Sequence, residues 1–180
     1  MKIRTKTILR LRDAMLESGR RPSVVVSPAY ETLARAGMLS MEETAAVARV
    51  EPLAETMFLM MAADGKIADQ ERDALRGALR GLCDGLLRSG TINVMLENFE
   101  RRLQEHGRDE RLREIAEELS EHASEAESAF TLAAAAALAD DEVADEEQAF
   151  INQLAEWLGI SAARAGEILD QLEADRDSAE

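Results

Sequence analysis

Apolar residues recur along this chain at three- and four-residue intervals, the spacing that places them on one face of an α-helix. Within residues 2–18, Ile8, Leu11 and Met15 share one face, while Lys6, Arg10, Asp13 and Glu17 take another. Gly19-Arg20-Arg21-Pro22 should end that helix, because proline disfavours the helical conformation in the residue before it. Val24-Val25-Val26 is the one cluster of β-branched residues, too short for more than an isolated extended piece. A helix is expected near 29–36, closed by Gly37. Ser40-Met41-Glu42-Glu43 has the form of a capping box, in which the serine accepts from a free N–H and the glutamate reaches back. That helix should run to about Val50. Pro52 suits the first turn of a new one, where its missing N–H costs nothing, and Leu53, Met57, Met60 and Met61 form its stripe.

Further along, Asp69 is expected to cap a helix carrying Leu75, Leu79, Leu82 and Leu86. Thr91 should open another, with Ile92, Met95, Leu96, Phe99 and Leu103 on one face and Gly107 at its end. Asp109 opens a helix with Leu112, Ile115, Ala116 and Leu119, and the polar stretch 120–128 should bend or break it. Residues 130–139 read as an alanine-rich helix that lets its neighbours approach closely. Asp145 is expected to cap a helix with Ile151, Leu154 and Leu158, closed by Gly159. Ser161 should cap the last helix, with Ala165, Ile168, Leu169 and Leu172, and the acidic tail beyond Ala174 should fray. Alanine, leucine, glutamate and arginine, all good helix formers, dominate a chain with only 3 prolines and 10 glycines. The reading is all-α: a single-domain helical bundle of about eight to ten helices.

Charge narrows the partners. The 180 residues hold 36 acidic and 21 basic side chains, a formal net charge of -15, and such an excess argues against binding a nucleic-acid backbone. Residues 1–22 carry seven basic and two acidic side chains, so the excess belongs wholly to the remainder. The basic helix should dock on the acidic bundle through Ile8, Leu11 and Met15, with Arg10 and Arg12 near acidic groups; the competing use is contact with a membrane surface. No apolar run approaches a membrane span. Lys2, Arg4, Lys6, Arg10 and Arg12 interrupt any signal-peptide core, and a cytoplasmic location is expected. A lone cysteine, Cys83, excludes an internal disulfide framework and should be buried and inert.

The informative feature is a repeat at an offset of 76 residues. Ala63-Asp64-Gly65-Lys66-Ile67-Ala68-Asp69-Gln70-Glu71 aligns with Ala139-Asp140-Asp141-Glu142-Val143-Ala144-Asp145-Glu146-Glu147, with five of nine positions identical. Downstream, Leu75 matches Ile151 and Leu82 matches Leu158, while Ala78-Leu79 and Leu154-Ala155 exchange the bulky residue. Each copy reads as an apolar helix, an acidic turn pinned by Ile67 or Val143, an aspartate cap and an amphipathic helix. The expected result is a pseudo-two-fold repeat of antiparallel helix pairs. The acidic residues have two readings. Asp69 and Asp145 can satisfy free N–H groups, and Glu71, Glu146 and Glu147 can favour the positive end of a helix dipole. Alternatively, Asp64-Gly65-x-Ile67-x-x-x-Glu71 has the spacing of the second half of an EF-hand loop. Its first half is missing, because Met60 and Ala62, or Ala136 and Leu138, stand where acidic ligands belong. Calcium takes six to eight oxygens, which one such turn cannot supply. Two turns side by side would bring Asp64, Glu71, Asp140, Asp141 and Glu147 together as a divalent-cation site.

An apolar helix, Ala63 to Glu71, its copy Ala139 to Glu147, and a helix ending in Leu158-Gly159-Ile160-Ser161 together resemble the TerB-like family of tellurite-resistance proteins. The resemblance spans about residues 50–175. It implies an all-helical acidic domain associated with tellurite and other stress responses, binding divalent cations through its acidic turns. Asp64, Glu71, Asp140 and Glu147 are the positions it carries over; Asp141 stands where the first copy has Gly65, which sets the two turns apart in expected affinity. The chain then divides into a basic N-terminal helix (1–22), a TerB-like domain (23–175) and an acidic tail (176–180).

Enzymatic chemistry finds little footing. A di-iron carboxylate bundle needs Glu-x-x-His on two helices, yet Leu103 and Leu119 precede His106 and His122 by three. His106 is expected at a helix end and His122 in a polar segment. No phosphate loop or dinucleotide fingerprint occurs. Met57, Met60 and Met61 read as core filling. The resemblance then implies a non-enzymatic component of a tellurite-resistance or stress-response assembly, with a divalent cation as its cofactor and a protein partner. The alternative is an interaction module whose acidic surface docks a basic partner without metal.

Overall fold

The computed structural model of the chain describes residues 3–17, 28–62, 67–120, 122–139 and 145–177. Among these, nine helices and no strand are found. They are α1 (Thr5–Glu17), α2 (Pro28–Arg35), α3 (Met41–Met61), α4 (Asp69–Leu82), α5 (Ser89–His106), α6 (Arg108–Ser120), α7 (Ala123–Ala137), α8 (Asp145–Trp157) and α9 (Ala162–Asp177). The all-α expectation holds. No described helix is long and apolar enough to cross a membrane.

Most helix ends follow local chemistry. The Glu43 amide donates to Ser40 Oγ and the Ser40 amide donates to Glu43 Oε2, both at 3.1 Å, completing the capping box of α3. Gly37, Gly107 and Gly159 all have positive φ where helices end, a conformation in which a Cβ would be strained. Ser161 Oγ accepts from the Arg164 amide at 3.2 Å at the start of α9.

Several boundaries differ from expectation. Pro52 does not open a helix; it lies inside the continuous α3. Proline removes one intrahelical hydrogen bond, but Val47, Val50, Leu53, Ala54, Met57 and Phe58 are buried on both sides of it, and their packing outweighs the local loss. Helix α4 stops at Leu82, so Leu86 is no core position and is 49% exposed. Helix α5 starts at Ser89, two residues before Thr91, and α6 starts one residue before Asp109. Asp69 is the first residue of α4 rather than its cap; Ala68 holds the cap position. Helix α8 begins at Asp145, whose side chain lies outside the described set, as do Val24, Val25 and Val26. Helix α9 continues past Ala174 to Asp177, because Asp175 is buried and paired rather than frayed.

Helices α3 and α7 form the centre and make the most extensive contact of any pair. Met57, Met60 and Met61 are core, as expected, and Ala133 to Ala137 are all buried, which lets α3 approach closely. Polar contacts give the directions. Arg72 pairs with Glu100, Arg76 Nε with Asn93 Oδ1 at 3.3 Å and Arg80 Nη2 with Ser89 Oγ at 2.9 Å, so α4 and α5 are antiparallel. Arg88 binds Glu43 near the start of α3, and Arg102 binds Glu51 and Glu55 farther along, so α5 runs parallel to α3. Helix α4 is therefore antiparallel to α3. The matched positions of the repeat are all buried: Leu75 and Ile151, Ala78 and Leu154, Leu79 and Ala155, Leu82 and Leu158. Helix α1 packs on α4, α7 and α9 through Ile8, Leu11 and Met15.

Candidate functional site

The first acidic turn is entered where α3 ends, at Met61 and Ala62. Residues 63–66 lie outside the described set, Asp64 among them. Beyond them, Ile67 is half-buried and packs against the core, as expected of a turn anchor. Glu71 Oε2 accepts from the Ala68 amide at 2.7 Å. One oxygen of the expected ligand thus already caps α4, which is why alanine is tolerated at the cap position: glutamate in the third position satisfies the amide from inside the helix. The second turn follows the end of α7 at Ala137, and residues 140–144, with Asp140, Asp141 and Val143, lie outside the described set. Glu147 is half-buried in the first turn of α8. Of the five expected ligands, Glu71 and Glu147 are described, while Asp64, Asp140 and Asp141 lie outside the described residues.

The surroundings of the turns are described. Helix α5 ends at His106, Gly107 reverses the chain with φ 80°, and α6 starts at Arg108. His106, Gly107, Asp109 and Glu110 line an open groove of about 490 Å³ whose other wall includes Ala62, the last residue before the first turn. Arg108 also lines this groove, and its guanidinium sits 5.3 Å from the ring centre of Phe150 in α8. Arg113 lies 5.5 Å from the Trp157 ring, so α6 and α8 run in the same direction. The α5–α6 corner thus stands between the end of α3 and the first turns of α8, the helix ends that border the two acidic turns.

At this corner, ligand atoms of His106, Glu110 and Glu114 lie within 4.8 Å of one another, all on exposed side chains. This set was not anticipated, because a Glu-x-x-His search does not reach it. Its signal is the four-residue step 106, 110, 114, which only a turn at Gly107 converts into one cluster. Glu114 also pairs with Arg111 Nη1. Arg111 in turn donates from Nε and Nη2 to Glu55, both at 2.9 Å. Arg102 donates to Glu55 at 2.6 Å and to Glu51 at 2.7 Å. This buried ladder fixes α5 and α6 on α3 and so holds the corner in place. Burial pushes the Glu51 carboxyl above its ordinary value, against the pull of Arg102. Two guanidinium groups against two carboxylates leave the ladder neutral, the condition for burying charge at tolerable cost.

Cys83 is buried beside a separate groove of about 340 Å³ lined by Arg12, Met15, Arg49 and Leu86. Burial pushes its thiol up to about 12. It is therefore a neutral thiol at physiological pH, the wrong form for a nucleophile or a metal ligand. His122 is exposed and occupies the cap position of α7.

Comparisons with curated proteins and with solved structures returned no match. A family model described as Tellurite resistance protein TerB matches residues 51–169, from the middle of α3 into α9. That stretch contains both acidic turns, the buried ladder and the α5–α6 corner, and with it the all-helical fold expected from the sequence: the chain belongs to the TerB family.

Proposed function

We propose that this TerB-family chain is a non-enzymatic, cytoplasmic component of a tellurite-resistance or stress-response assembly. In this reading it holds a divalent cation at the end of the bundle where α3 stops, α5 turns into α6 and α8 begins. The observation that carries the cation is the convergence of His106, Glu110 and Glu114 at the corner bordered by the helices that lead into and out of the two acidic turns. An imidazole with two carboxylates suits zinc or manganese better than calcium, which prefers oxygen alone. Asp64, Asp140, Asp141 and Glu147, with the second oxygen of Glu71, are the further oxygens the turns would contribute, the two helix pairs acting as copies of one unit.

Calorimetric titration of the purified chain with Ca²⁺, Mg²⁺, Mn²⁺ and Zn²⁺ tests this, with melting temperature followed before and after chelator. Binding heat that falls several-fold in His106→Ala and in Glu110→Gln places the ion at the corner. Heat that survives both changes but is lost in Asp64→Asn with Asp140→Asn places it in the turns alone. No heat with any of the four ions sinks the cation. The second reading then takes over: a metal-free module docking a basic protein. Its support is that Glu71 already serves as a cap and Glu114 already has Arg111 as a partner.

A further inference from the structure

Helix α1 lies outside the stretch that matches the family, yet its seat on the bundle is specific. A Cβ built on Gly81 of α4 would stand 2.5 Å from Ile8 Cγ2, so the glycine is the hole that receives Ile8. Glycine is a poor residue for a helix interior, and here the close approach is what it provides. At the other wall, Asp175 of α9 is buried with its carboxylate between two cations of α1: Lys6 Nζ at 2.9 Å and Arg10 Nη1 at 2.8 Å. Gln171 Nε2 adds a hydrogen bond at 3.3 Å. Lysine and arginine four residues apart meet a single carboxylate only when they lie on one face of a helix, so Asp175 reads a basic helical pair. Burial pushes the Asp175 carboxyl up, but its cations outweigh that and hold it below the ordinary range. Arg12 reaches Asp84 at 3.3 Å. Between these contacts, Leu11 and Met15 are buried in the shared core.

The seat is also incompletely filled. A groove of about 510 Å³ runs between Ile3, Thr5 and Ile8 of the α1 side and Gln70, Ala74 and Gly77 of α4. Gly77, one turn before Gly81, faces open space. Helix α1 therefore touches α4 closely at one end and stands away from it at the other. Lys6 remains largely in water, its side chain 69% exposed, where salt screens its charge.

We propose that the face formed by α4, α7 and α9 is a docking groove for a basic amphipathic helix, that α1 is its occupant in cis, and that α1 shields the groove from a partner protein presenting a helix of the same kind. The acceptors of this face are acidic, and the chain beyond residue 22 carries a large acidic excess, which selects a basic helix and repels an acidic one. An occupant in the same chain competes intramolecularly, so a partner's apparent affinity scales with the fraction of chains in which α1 is released.

The test uses the full chain and a fluorescein-labelled peptide of residues 3–17, followed by anisotropy in low and high salt. Ile8→Asp removes the anchor, and Lys6→Glu with Arg10→Glu reverses the two cations. Both opened variants should bind the peptide at least ~10-fold more tightly than the unaltered chain, since the competing occupant is gone. Adding Asp175→Asn should weaken that binding several-fold, and high salt should do the same. Circular dichroism and urea unfolding establish that each variant remains folded. The proposal is overturned if folded, opened variants bind no better than the unaltered chain, or if Asp175→Asn leaves the affinity unchanged. It is equally overturned if Ile8→Asp unfolds the entire chain and the charge-reversed variant fails to take up the peptide, since α1 would then be an inseparable part of the core.

Discussion

Alanine at Gly77 and alanine at Gly81 are matched substitutions on one face of α4 with opposite expected outcomes. Replacing a helix-interior glycine by alanine stabilises a helix by ~0.8–1.0 kcal/mol. At Gly77 the new Cβ meets no atom within 4 Å, so the variant should be more stable by about 0.5–1 kcal/mol. At Gly81 the new Cβ would stand 2.5 Å from Ile8 Cγ2, where carbon atoms ordinarily settle at ~3.5–4.0 Å. Ile8 must leave its rotamer or α1 must retreat by roughly 1 Å, and overpacking of this kind costs about 1–3 kcal/mol. Subtracting the helix gain leaves a net loss of about 0–2 kcal/mol. The two variants should thus differ by roughly 1–3 kcal/mol, or about 3–10 °C in Tm for a domain of this size. Urea unfolding followed by circular dichroism measures the difference. Hydrogen exchange should show the loss at Gly81→Ala concentrated in the amides of α1. If Gly81→Ala stabilises the chain as much as Gly77→Ala does, Ile8 is not seated on Gly81 and the account of α1 fails.

Glu55→Gln leaves Arg102 and Arg111 buried with half their partners, and should cost about 3–5 kcal/mol; Asp73→Asn, which breaks only an exposed pair with Arg76, should cost under ~1 kcal/mol, and equal costs would refute the importance of burial. Glu43, Glu127 and Asp175 all titrate below their ordinary range, through Arg88, Arg164 and the Lys6–Arg10 pair respectively. Their contribution to stability is present above the unfolded carboxylate value near ~4 and is lost as pH falls through the lower folded values. Glu51, raised by burial, acts in the opposite sense and gains as it is protonated. Denaturation at successive pH values should show stability falling below about pH 4, with a shallower fall in Asp175→Asn; an unchanged slope in that variant would contradict the pairing. Cys83, buried and held as the thiol, should react with a thiol reagent at mild alkaline pH only on the timescale of opening, whereas stoichiometric reaction within seconds would show it accessible.

Sequence alone was sufficient wherever the cause is local. Ser40 with Glu43, Gly37, Gly107, Gly159 and Ser161 each act through hydrogen bonds or backbone geometry within a few residues, and their roles hold in the structure. The burial of Ile8, Leu11 and Met15, of the methionine stripe and of the alanine run follows from periodicity, because a helix has to cover its apolar face. Where a distant contact competes with a local preference, sequence reading failed. Pro52 looked like a helix start because proline has no amide to donate, and only the core on both sides of it makes α3 continuous. Asp69 looked like a cap because aspartate is a good one, yet Glu71 reaches the Ala68 amide first.

The candidate site divides the same way. Repetition along the chain marks the two acidic turns, since a repeat is a property of the sequence itself. The neighbourhood of those turns is not. His106 and Glu114 come together only because Gly107 turns α5 into α6; the ladder of Glu51, Glu55, Arg102 and Arg111 locks that corner to α3, and Arg108 and Arg113 set it against Phe150 and Trp157 of α8. Nor does any local pattern tell that Gly81 is a hole for Ile8 while Gly77 is not, or that Asp175 receives two cations from the far end of the chain. Helix propensity, capping and apolar spacing act over one or two turns and were determined by the order of residues. Register, close approach and the pairing of buried charge act between helices distant in the chain, and the tertiary structure decided them because each depends on where another helix stands.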